Sequence, residues 1–128
     1  MDSDLAEYLE YLCSENDSIN GLIIVSNEGL PIALASSITE FTDQILVSGI
    51  CTALNCICRE LISETIDSDL KRILVDCTNG VILIQRLNQK GILVASCENA
   101  AALSELDIPS IQMHFSTNSP KSLSSIVS

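Results

Sequence analysis

Basic side chains are scarce in this sequence: six Lys and Arg stand against seventeen Asp and Glu, a formal net charge of −11. The six, Arg59, Lys71, Arg72, Arg86, Lys90 and Lys121, are scattered along the chain. A surface of that sign repels a phosphate backbone and an anionic lipid surface, so neither nucleic acid nor direct membrane insertion is expected. Aromatics are few, with no Trp, two Tyr and two Phe, so the core has to be aliphatic. Glycine is rare as well, and the five present form neither a GxxxxGK[ST] nor a GxGxxG loop. The chain therefore lacks a phosphate cradle and is not itself a GTPase. The single histidine, His114, would have to serve any Ser–His–Asp or Cys–His site. No nucleophile motif accompanies it. It reads as an ordinary, partly exposed side chain.

Long hydrophobic runs are missing too. The longest uncharged stretch, Gln44 to Cys58, is interrupted by Ser48, Gly49, Thr52 and Asn55 and falls short of the ~20 residues of a membrane span. The acidic start, MDSDLAEYLEYL, is the opposite of a signal peptide's basic n-region. A soluble cytoplasmic protein is expected.

What is present is enough for one domain. With 128 residues, 47% of them hydrophobic, the chain can bury a real core. Six cysteines, Cys13, Cys51, Cys56, Cys58, Cys77 and Cys97, lie inside apolar elements rather than in a loop-rich scaffold, which predicts reduced, buried thiols. Cys56 and Cys58 are two apart on a predicted helix and cannot share a metal. Cys51 and Cys58 share a face, but zinc would need two further ligands. No metal and no cofactor is expected. The acids Glu7, Glu10, Asp43, Glu60 and Glu64 fall on predicted solvent faces and serve solubility rather than acid–base chemistry.

The periodicity predicts a helix over Ser3 to Cys13, with Leu5, Tyr8, Leu9 and Leu12 on one face. Leu22–Val25 and Leu30–Ala35 read as strands joined by Ser26-Asn27-Glu28-Gly29, with Gly29 able to take a positive φ. Pro31 has no N–H to give to a ladder, so its strand belongs at a sheet edge. Ser37 to Glu64 reads as one long helix, with Ser37-Ile38-Thr39-Glu40 in the form of a capping box and Thr39 or Thr42 as other caps. Three strands follow: Arg72–Asp76, Val81–Leu87 and Gly91–Ser96. Asn79-Gly80 is a strong hairpin signal between the first two, and the last two are apolar enough to be covered on both faces. Glu98–Leu106 reads as a helix capped by Asn99 and ended or interrupted by Pro109. Ile108–Phe115 is either helical or extended. The domain spans 1–115 and a Ser-rich tail spans 116–128, where Ser119-Pro120 has the form of a phosphorylation site, a pair also common by chance in a serine-rich tail. Together these elements give an α+β fold: a five-stranded antiparallel sheet with a long helix on one face and the terminal helices on the other.

The long helix is unusual. Leu46, Ile50, Ala53, Leu54, Ile57 and Leu61 form an apolar stripe that Ile45, Gly49, Cys56 and Cys58 widen. Only Gln44, Ser48, Thr52, Asn55, Arg59 and Ser63 form a narrow polar line. A surface helix normally carries a broad charged face, so this one is read as covered on two sides, the second cover being another subunit.

The order of elements and the stretch GLIIVSNEGLPIALASS resemble the Roadblock family (dynein light chain Roadblock type, with bacterial and archaeal relatives). The resemblance is carried by Val25, Ser26, Glu28, Gly29, Leu30, Pro31, Ile32 and Ala33, covers roughly residues 3–107, and departs from Ile108 onward. It implies a homodimer, or a pairing with a Roadblock paralogue, in which third strands pair edge to edge and long helices pack together. The interface would hold Leu46, Ile50, Leu54, Ile57, Arg72, Ile73, Leu74 and Val75. It also implies a non-enzymatic partner for a Ras-like small GTPase, either as a scaffold or as an activator that promotes GTP hydrolysis by holding the GTPase loops. The alternative is a structural adaptor subunit of a motor, trafficking or membrane-tethered signalling complex. The line Gln44, Ser48, Thr52, Asn55 and Arg59 is the expected exposed partner surface. Arg59 is the arginine to test for a role in trans, although family activators do not depend on an inserted arginine and the ordinary reading is that it solvates the helix or pairs near Glu60 or Glu64.

Overall fold

The computed structural model describes residues 3–36 and 43–118. Helix α1 (Ser3–Glu15) leads into strands β1 (Ile19–Ser26) and β2 (Pro31–Ser36), then helix α2 (Gln44–Thr65). Strands β3 (Arg72–Cys77), β4 (Gly80–Asn88) and β5 (Gly91–Cys97) follow, then helices α3 (Ala100–Ser104) and α4 (Ile108–Asn118). The strands form one antiparallel sheet in the order β2-β1-β5-β4-β3. Pro31 lies on an edge strand, as its missing donor requires. The other edge is β3.

Side chains alternate across a strand, and here both faces are covered. Leu22 and Ile24 of β1 and Leu93, Ala95 and Cys97 of β5 meet Leu5 and Leu9 of α1 and Ile111 and Phe115 of α4. Ile23, Val25, Ile92 and Val94 face the other way, onto Cys51, Val47 and Leu54 of α2. This is why β1 and β5 read as continuous apolar runs. Strand β3 escapes that rule: only Ile73 is half-buried and its neighbours are exposed.

Several local expectations are corrected. Helix α2 begins at Gln44, not Ser37. Asp43 has non-helical backbone angles and its Oδ1 accepts a 3.0 Å hydrogen bond from the Leu46 N–H, so a carboxylate caps the helix. Ser37-Ile38-Thr39-Glu40 and Thr42 lie outside the described residues. Asp43→Ala is expected to cost about 1 kcal/mol, read as a lowered urea midpoint with unchanged slope. Pro109 does not end a helix but starts one. It sits in the first turn of α4, where its missing N–H is no loss, while Asp107 Oδ1 accepts from the Ser110 N–H at 3.1 Å. Helix α4 runs through Ser116 and Thr117 to Asn118, past the expected domain end at 115. Helix α3 is shorter than expected, but Asn99 is its cap, accepting from the Ala102 N–H at 2.9 Å.

The β3–β4 turn is also displaced. Cys77 pairs with Gly80, so Thr78-Asn79 turn the chain, and neither Asn79 nor Gly80 takes a positive φ. Gly80 is needed for a different reason: a Cβ there would lie 2.8 Å from the Cys97 carbonyl oxygen. Gly29 does take the expected positive φ, at 85°. Asn27 Nδ2 donates to the Gln89 carbonyl and ties the two turns at that end of the sheet.

Candidate partner-binding surface

Helix α2 lies on the sheet with an unexpected arc downward. Val47, Cys51 and Leu54 meet the core. Positions one helical step from these share their arc, so Ser48 and Asn55 are buried with them, at 0% and 4% exposure. The expected exposed polar line is therefore overturned at its centre: Ser48 and Asn55 face the sheet and are not available to a partner. Gln44 and Thr52 are half-buried, and only Arg59 is exposed. Thr52 Oγ1 donates to the Ser48 carbonyl at 2.9 Å, while Ser48 Oγ has no hydrogen-bond partner.

The apolar stripe points outward instead. Ile45, Leu46, Ile50, Ile57 and Leu61 are each half or more exposed. On the same side of β3, Val75 is exposed, and Ile66, exposed too, follows the C-terminal end of α2; Leu74 is exposed on the opposite face, where it pairs with Leu83. Of the expected interface residues, Leu46, Ile50, Ile57, Arg72, Leu74 and Val75 are accessible. Leu54 and Ile73 are half-buried: both pack against the core beneath α2 and support the surface from below. A contiguous apolar face of this kind is rare on a monomer, and it adjoins the unpaired N–H and C=O groups of the β3 edge. Helix α2 is long and apolar enough to cross a membrane, contrary to the expectation from its uncharged core alone, but it rests on the sheet.

At the C-terminal end of α2 an open cleft of about 400 Å³ is lined by Arg59, Glu60, Ser63 and Asp69, among others. Two carboxylates share it with the guanidinium, so it presents mixed charge rather than an anion site.

Three of the cysteine thiols are buried. Burial pushes the Cys13 thiol up to about 11, with Glu10 adding to it, and burial does the same at Cys97, helped by Cys13. Burial also raises Cys51. These thiols stay protonated near neutral pH and are weak nucleophiles. Cys56 and Cys77 are exposed rather than buried as expected, and all six cysteines are free. No group of three or more metal-ligating side chains occurs among the described residues. His114 stacks on Tyr8, ring centroids 3.6 Å apart. Its Nδ1 donates to the Ser110 carbonyl at 2.9 Å, and Tyr8 Oη lies 2.7 Å from Ser110 Oγ. These contacts clamp α1 to α4.

A family model described as Roadblock/LC7 domain matches residues 11–96. Among solved structures, a Roadblock/LC7 domain from Streptomyces avermitilis superposes with a TM-score of 0.75 at 11% identity, covering 88% of this chain and 94% of that one. Myxococcus xanthus MglB gives 0.75 at 12% identity, with 90% and 94% covered. A structure described as MglB with tetrameric arrangement gives 0.71 at 8% identity, with 80% and 79% covered. No curated protein sequence matches.

Proposed function

The chain belongs to the Roadblock/LC7 family, and from that membership we propose that it is a non-enzymatic, dimeric regulator or scaffold that binds a Ras-like small GTPase. The observation that carries the dimer is the uncovered apolar arc of α2 beside an open β3 edge. Pairing β3 with the same strand of a second copy, or of a Roadblock paralogue, satisfies the edge groups and continues the sheet. The outward arcs of two α2 helices then bury each other. A related protein solved in a tetrameric arrangement supports self-association.

The GTPase reading is supported by the family resemblance together with the want of any nucleotide loop in this chain. The protein's part is to hold the GTPase's own loops. Such contacts belong to polar groups left at the rim of the α2 face, of which Arg59 and its cleft are the exposed example. Arg59 shares that cleft with Glu60 and Asp69, which favours a positioning contact over an inserted arginine finger.

The test is capture from source-cell lysate on the immobilised protein, with either GDP or a non-hydrolysable GTP analogue supplied. A small GTPase retained mainly with the analogue is the expected result, followed by faster hydrolysis when the protein is added. Retention that ignores the nucleotide, or a partner that is no GTPase, overturns the regulator and leaves the structural adaptor.

A further inference from the structure

The face of the sheet opposite α2 is not fully covered. Helix α1 lies toward β2 and β1, α4 packs along β4, and α3 spans only Ala100–Ser104. A groove of about 240 Å³ is left between β3, β4 and α3. Its floor is Leu83, 4% exposed, and its walls are Leu103 and Ile108. Leu74, 53% exposed, forms the lip on the edge strand. At one end stand Arg72 and Gln85, which face each other across the β3–β4 ladder.

We propose that this groove binds a short segment of a partner protein that presents one aliphatic side chain and, close to it, one carboxylate. The size argues for a peptide side chain: small-molecule sites start at roughly 300 Å³ and enclose their ligand, whereas this groove, at about 240 Å³, is smaller and open to solvent. The apolar floor and walls take the aliphatic group. Arg72 takes the carboxylate, and the Gln85 amide offers both a donor and an acceptor to the segment's backbone. The chain's net charge of −11 disfavours an acidic segment as a whole. That field is screened beyond about 8 Å at physiological salt, while the Arg72 contact is not. The fitting segment is therefore neutral or basic apart from its single acid.

The groove also adjoins the proposed dimer seam without being consumed by it. Edge pairing uses the backbone of β3 and leaves the Arg72 and Leu74 side chains standing on the groove face. A peptide there and a GTPase on the α2 side occupy opposite faces, so the protein can bridge two partners at once. The groove belongs to the single protomer and does not rest on the GTPase reading.

The test is selection from a displayed random peptide library on the full chain, followed by binding of the synthesised consensus. Peptides with a Leu or Ile near an Asp or Glu are expected. Arg72→Glu should weaken the consensus peptide by about tenfold, the equivalent of ~1.4 kcal/mol, and exchanging the peptide's acid for lysine should restore it. Ala100→Trp, at an exposed position on the groove wall and away from the β3 edge, should block both peptides. Light scattering on the same variants separates groove effects from loss of the dimer. Failure to enrich any sequence, or peptides that bind Ala100→Trp and Arg72→Glu as well as the parent, would overturn the proposal. So would peptide binding that merely competes with self-association, since the groove would then hold a second copy of this chain.

Discussion

Replacing Ile50 and Ile57 together with aspartate is expected to leave a folded monomer where the proposed dimer would otherwise form. The two residues are two turns apart on the outward arc of α2, at 50% and 63% exposure. In the single chain their substitution disturbs little, because they touch water already. In the dimer each isoleucine contributes about 1.5–3 kcal/mol of burial, and a carboxylate put in its place must be stripped of water without a partner. A loss of ~4 kcal/mol or more corresponds to about a thousandfold in dissociation constant. Light scattering at micromolar concentration reads the mass, and far-ultraviolet circular dichroism checks that the fold survives. A double variant that stays dimeric would show that α2 does not face a second copy. Unfolding of the double variant would instead mean that the outward arc supports the protomer itself.

The second large effect concerns the seat of α4. Phe115 is fully buried and its ring lies where a Cβ on Gly91 would stand: 2.5 Å to Cζ and 2.6 Å to Cε2. The Val25 carbonyl oxygen closes the same space at 3.3 Å. Phe115→Ala is expected to destabilise by about 3–5 kcal/mol, a large share of the ~5–15 kcal/mol that holds a domain together. Gly91→Ala alone should also destabilise, because the ring has to move. The two are not independent. Once the ring is gone the methyl group has room, so the double variant should be more stable than the sum of the single losses implies, by ~0.5–3 kcal/mol. Urea unfolding of the four proteins closes the cycle. Simple additivity, or a Phe115→Ala loss under ~1 kcal/mol, would mean that the ring is not wedged against Gly91.

Both results bear on how the protein works. The first variant removes the platform on which two copies would hold a GTPase. The second loosens the helix that follows the peptide groove, since α4 begins at Ile108 on the groove wall and is anchored at its far end by Phe115. Coupling between the two faces of the sheet therefore has a physical route through β4 and β5, which both faces share.

Much of the architecture was legible from residue type and spacing. The five strands, the edge position forced by Pro31, the turn at Gly29 and the Asn99 cap all follow from backbone chemistry acting within a few residues, and that chemistry does not wait for a tertiary context. The over-apolar girth of α2 was equally plain, and with it the expectation of two covers. Which arc takes which cover was not. Val47, Cys51 and Leu54 compete with Leu46, Ile50 and Ile57, and both arcs are apolar enough to face a sheet. Only the packed structure chooses, and it carries Ser48 and Asn55 down with the chosen arc. The same limit explains the turn at Thr78-Asn79, where the approach of the Cys97 carbonyl outweighs the local preference of Asn-Gly. It explains the groove as well: Arg72, Leu83 and Leu103 lie in separate segments, and no periodicity in any one of them reports the other two. Local sequence determined the elements and their faces, because steric and hydrogen-bonding rules act at short range. The tertiary structure alone decided which face meets which, because that choice depends on the shape of surfaces that do not exist until the chain has folded.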